Sequence, residues 1–167
     1  MIPSPRFYQQ YFEYVVWADK RQLELVRQLP EAEYMRDRGF SFGSIHKILT
    51  HELSAQSVWL DRFQGAEPVW LEHKPGLETL AAVDDVWPRI HERGLKYMAA
   101  LTPQKLAANL NYSNMRGEKF SLPLWELVFH MCQHSYYHRS QLNSMIKLAG
   151  GKPRSTDYAT WVAERDK

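Results

Sequence analysis

The stretch "PLWELVFHMCQHSYYHRSQLNSMIKLAGG", residues 123–151, reads as one long helix that opens near Pro123 and stops at Gly150-Gly151, with Pro153 beyond. Three histidines stand four residues apart inside it, at His130, His134 and His138. Side chains four apart share a helix face, so His134 and His138 can aim at one point, and so can His130 and His134. All three together cannot. His130 and His138 are separated by about 12 Å along the axis at a rise of 1.5 Å per residue. With ring-to-metal bonds of about 2.0–2.1 Å, that pair would have to reach almost collinearly, so one histidine of the line is left outside.

Two ligands rarely hold a metal, and a third is expected from another helix. "SIHKILTHELSAQSVWLDRF", residues 44–63, offers His46 and His51, which lie about 140° apart around a helix and do not share a face. This segment is the second of four that read as long helices. The first runs from about Pro5 to Leu29, with Ser4 as N-cap, Pro5 at the first position, and Phe7, Tyr11, Tyr14, Val15, Ala18, Leu25 and Leu29 as its apolar stripe. The third runs from about Leu77 to Leu101, with Pro88 inside it predicting a kink or a later start. "RDRGFSFGS" is a connector, and the stretch around Gly65, Pro68 and Pro75 is a long loop of the kind that carries function. "LTPQKL" predicts a Thr-capped turn. Alternation on either side of Asn114–Gly117 predicts a small hairpin, and "TDYATWVAERD" a short closing helix. The fold class is therefore all-α, a four-helix bundle forming one domain over residues 1–167, a length that suits one full core and not two.

Composition narrows the partners. The 21 basic and 19 acidic residues give a net charge of +2, no electrostatic case for a nucleic acid. No segment reaches the roughly 20 apolar residues that span a bilayer, and the N-terminus lacks the basic-then-apolar pattern of a secretory signal. Cys132 is the single cysteine, so an intrachain disulfide and a multi-cysteine zinc site are both excluded, and a cytoplasmic location is expected. Aromatics make up 13% of the chain; most belong to the core, and some can line a pocket. Lone histidines such as His73 and His91 read as ordinary polar or satisfied core residues, and Cys132 as a small buried one.

The opening "YFEYVVWADKRQLE" resembles the first helix of the DinB family of metalloenzyme-like proteins, with Trp17-Ala18-Asp19 in the place of its "WAN". "SIHKILTHELSAQSVWLDRF" is similar to that family's second-helix pattern. His51 stands at the ligand histidine, and Trp59, Leu60 and Arg62 in its "WL-R" tail. "HMCQHSYYHRSQ" is similar to the "NHxxHHRGQ" signature, with His134 and His138 at the ligand positions and Arg139 and Gln141 following. The departures are Tyr137 for a second histidine, Ser140 for glycine, Gln133 for asparagine, and the letters Asp19 and Gln56. None removes a ligand. The resemblance spans nearly the whole chain. It implies an antiparallel four-helix bundle with a long crossover and a homodimer. It also implies one divalent metal, zinc or nickel, held by His51, His134 and His138. His130 is then expected at the helix interface, Gln141 as an orienting partner, and Trp17, Trp59 and Tyr137 as pocket lining.

Neither Glu52, about 100° from His51, nor Glu126 supplies an obvious general base. That favours chemistry in which the metal activates the reacting group. One candidate is a low-molecular-weight thiol transferred to an electrophile, as in DinB-like thiol S-transferases. A second is metal-dependent hydrolysis, and a third is a stress-associated metal-binding module without turnover.

Overall fold

The computed structural model describes every residue except Met1 and Asp166. Its elements in chain order are α1 (Pro5–Val26), α2 (Glu31–Met35), α3 (Ile45–Phe63), a 3-10 turn (Leu71–His73), α4 (Leu80–Ala99), α5 (Pro103–Ala107), β1 (Asn109–Ser113), β2 (Lys119–Pro123), α6 (Leu124–Leu148) and α7 (Tyr158–Arg165). Hydroxyl caps start four of the helices. Ser4, Ser44, Thr79 and Thr102 accept hydrogen bonds from the backbone N–H groups of Phe7, Lys47, Ala82 and Lys105. Two boundaries differ from expectation. The third long helix starts at Leu80 because Thr79 caps it, which leaves Leu77 as a buried loop residue. The first gives way to a turn after Val26. Helix α4 starts before Pro88 and runs through it.

Four long helices form the bundle. α1 packs on α4 and α6, and α3 packs on the same two, so α1 faces α3 across one diagonal and α4 faces α6 across the other. The hairpin pairs antiparallel from Asn109↔Pro123 to Ser113↔Lys119 and leads directly into α6. α4 comes close to α1 at Gly94, where a Cβ would stand 2.4 Å from two ring carbons of the buried Phe12.

A polar network crosses the otherwise apolar core. The Gln56 carboxamide on α3 reaches all three other long helices: its nitrogen donates to Asp19 Oδ2 on α1 (2.8 Å) and Ser135 Oγ on α6 (3.1 Å), and its oxygen accepts from Trp87 Nε1 on α4 (3.0 Å). His91 Nε2 lies 3.0 Å from the same Asp19 oxygen. Asp19 and Gln56, the two letters that depart from the family pattern in the first two long helices, are thus bonded to each other. Among the described residues, no helix is long and apolar enough to cross a membrane.

Candidate metal centre

His51, His134 and His138 meet between α3 and α6, with one ring nitrogen from each within 4.8 Å of the others. Ring centroids are 5.3 Å apart for His51–His134, 4.8 Å for His51–His138 and 4.3 Å for His134–His138. Helical spacing brings the last two together, as the i, i+4 rule requires. The docking of α3 on α6 brings the first.

The partners of the outer nitrogens set the tautomers. His51 Nδ1 lies 2.8 Å from Glu72 Oε2. A carboxylate oxygen accepts, so in a neutral His51 ring this contact places the proton on Nδ1 and turns a bare Nε2 to the cluster. His138 Nδ1 donates in the same way to Gln141 Oε1 at 2.9 Å. Its Nε2 stands 3.1 Å from His134 Nε2. A tetrahedral ion with bonds of about 2.0–2.1 Å separates neighbouring ligand nitrogens by roughly 3.3–3.4 Å, so this pair is already spaced for one. Imidazole with a carboxylate or amide on its outer N–H is also the usual build of a metal-bound histidine. The residues present fit a divalent ion.

Electrostatics disfavour the charged form of His134 and His138. Burial, and then the neighbouring rings of His138, His51 and His130, push the His134 pKa down to about 3. Burial also lowers His138, against the opposing pull of its Gln141 hydrogen bond. The Phe42 ring stacks on His51 at 4.3 Å and meets His138 edge-on at 5.2 Å, closing one side of the cluster.

The remaining candidates divide. His130 stands outside the cluster, its ring 5.1 Å from Trp59 and 5.9 Å from His134. Tyr137 is exposed, with its ring 5.0 Å from His138. Trp59 is buried, and its ring meets that of His130. Trp17 stacks on Tyr14 and carries the Arg21 guanidinium 4.9 Å from its ring centre, contacts that lead toward α7 rather than to the histidines. His46 Nδ1 bonds the Tyr34 hydroxyl at 2.9 Å, His73 is exposed, and His91 is the core histidine already described. Sequence reasoning missed Glu72. It lies in the long loop after α3, where no periodicity ties an acid to His51, 21 residues earlier.

Behind the cluster lies a buried ionisable group on each of three helices: Asp19 and Glu52 at 0% exposure and Arg139 at 1%. Burial first, and then Asp19, raises the Glu52 pKa well above the carboxylate range. The Arg139 guanidinium lies 4.9 Å from the Tyr14 ring centre. Burial pushes the Cys132 thiol up to about 12, which makes it inert.

Comparisons with known proteins agree with this architecture. A sequence profile of the DinB family matches residues 4–166. The chain is 24% identical to Protein DinB of Bacillus subtilis (strain 168) over 158 residues, covering 90% of this chain and 91% of that protein. The crystal structure of a DinB-like protein from Bacillus cereus superposes with a TM-score of 0.70 at 13% identity, covering 93% of this chain and 99% of that one, a likeness of fold. With a match that runs from the first capping residue to the end of the last helix, the chain belongs to the DinB family.

Proposed function

We propose that the protein is a metal-dependent enzyme that activates a low-molecular-weight thiol for transfer to an electrophile, with His51, His134 and His138 holding one divalent ion, zinc or nickel. The observation that carries this reading is the tautomer pattern: Glu72 and Gln141 hold the outer N–H groups of two rings whose bare Nε2 atoms converge beside that of His134. Three neutral imidazoles leave part of a coordination sphere to solvent or substrate, the arrangement of a catalytic rather than a structural site. A divalent ion bound there supplies the Lewis acidity that makes a thiol ionise near neutral pH.

The chain's own residues orient and shield. Glu72 fixes His51 and Gln141 fixes His138, so neither is free to act as a base. Phe42 screens one side from water. A site with convergent ligands and its polar neighbours engaged in holding them suits a reaction whose nucleophile the metal prepares.

The test is metal analysis of protein purified without a nickel column, followed by a thiol–electrophile screen. Loss of free thiol with formation of a thioether, dependent on the metal, is the expected result. Product formed from the electrophile and water alone assigns a hydrolase instead. Metal binding without turnover of either kind leaves a binding module.

A further inference from the structure

A second candidate site lies three helical turns further along α3. Arg62 follows His51 by eleven residues, which returns it to nearly the same face about 16 Å along the axis. The residue is 8% exposed, and its guanidinium is boxed by rings, with centres 4.7 Å away for Trp59, 5.0 Å for Tyr112 and 5.9 Å for Trp70. Nη2 donates to the Ser113 carbonyl at 2.9 Å, while Nε is buried without a partner. Among the described residues, no carboxylate lies within ion-pair distance of it. The adjacent Asp61 is engaged with Arg93 and the Val69 N–H. A buried cation without a counter-charge is costly to hold, and burial pulls the Arg62 pKa down.

Arg62 is one of the residues lining a cavity of about 410 Å³ between the α3 exit loop and the hairpin. Trp70, Tyr112, Pro68 and Met115 give it apolar surface, and Asn111 adds a carboxamide. The Asn114 amide is already bonded to Glu118. Glu67 lines the same cavity, so a dianion would meet one cation and one opposing carboxylate. With Glu67 the lining carries no net charge, so the planar Arg62 fork, the amide and the aromatic walls, rather than charge alone, match a single carboxylate on an apolar body.

We propose that this cavity is a binding subsite for small aromatic or aliphatic monocarboxylates, held by Arg62 with Asn111 as the second donor. It is distinct from the metal centre, and its occupancy does not require the ion.

The test is a heteronuclear NMR titration of the metal-free full-length protein, so that no carboxylate can be captured by a metal. The probes are benzoate, its neutral isostere benzamide, and inorganic phosphate. Benzoate is expected to give saturable shifts in the Trp59 and Trp70 indoles, the latter assigned with Trp70→Phe, and in the Asn111 side-chain amide. Arg62→Lys should weaken binding by about tenfold or more, because a point charge cannot reproduce the boxed planar fork. Asn111→Ala, an exposed hairpin change that leaves the bundle intact, should weaken it severalfold. The same affinities with zinc restored are expected. Benzamide binding as well as benzoate, phosphate binding as well as benzoate, no saturable shift, or benzoate affinity unchanged in both variants each overturns the proposal. None of these results bears on whether the three histidines bind metal.

Discussion

The imidazole of His51 shows how much rests on one hydrogen bond. Its ring could present either nitrogen to the site, and the Glu72 carboxylate 2.8 Å from Nδ1 makes that choice. Glu72→Ala is therefore expected to lower metal affinity by about 10–100-fold without unfolding the protein, read by competition with a chelating dye. His134→Ala should remove most binding, whereas His73→Ala, at an exposed side chain, should not. The acid response of the metal-free protein follows from the same residues. The His134 pKa of about 3 lies below the ordinary 6.5, so between these values the unfolded chain binds a proton that the folded chain refuses. This contribution to stability is complete above pH 6.5 and is lost as the pH falls toward 3. Urea midpoints measured without metal should drop from pH 7.5 to pH 5, and by less in His134→Ala. The three histidines were legible in the sequence because i, i+4 spacing and the likeness of "HMCQHSYYHRSQ" and "SIHKILTHEL" to one family both point to them. Glu72 was not, since a loop residue's position depends on the path of the chain and leaves no period to read.

At the scale of the helix, the part of α1 that faces inward is a seam at Tyr8, Phe12, Val15, Asp19, Gln22 and Val26, all buried. Two of the six are polar, so a count of apolar residues leaves them out; of the stripe it draws, Tyr14, Val15, Ala18 and Leu25 are buried, Tyr11 and Leu29 pack on the core, and Phe7 is exposed. Asp19 and Gln22 belong inside because their partners do: Gln22 Nε2 donates to the Arg139 carbonyl and to Asn143 Oδ1, both at 2.9 Å. Hydrophobic period locates the element and most of its buried face, and leaves out the polar residues that share that face. The contact of α4 with α1 gives a sharper expectation. Gly94→Ala gains roughly 0.5–1 kcal/mol of helix propensity but drives a methyl into the buried Phe12 ring, an overpacking cost of about 1–3 kcal/mol. A net loss of stability in urea unfolding is expected, and Phe12→Leu in the same chain should recover part of it.

For the molecule as a whole, an ion bound between α3 and α6 stabilises the native state by mass action, because the unfolded chain does not assemble the site. At a free metal concentration a hundredfold above Kd the gain is about 2.7 kcal/mol, an upward shift of roughly 5–10 °C in calorimetry for a chain of this size. The His134→Ala protein should show no such shift. The exposed rings of Phe7, Phe129 and Tyr136 on α1 and α6 suit a homodimer face, and light scattering at micromolar concentration is expected to give twice the chain mass; a monomer counts against it.

The carboxamide of Gln56 has a consequence for how the metal centre stays in place. Because it is bonded to α1, α4 and α6 at once, a slip of any of them by a turn, about 5.4 Å, strands a buried donor or acceptor. Ser135, one of its partners, is the next residue after His134, and His51 precedes Gln56 by five positions on α3. The backbone that carries the three histidines is thus registered from inside the protein, while Glu72 and Gln141 set the rings themselves. Loop residues other than Glu72 and Phe42 can then change without moving the three rings, and a mild-looking exchange at position 56 is expected to displace histidines it never touches.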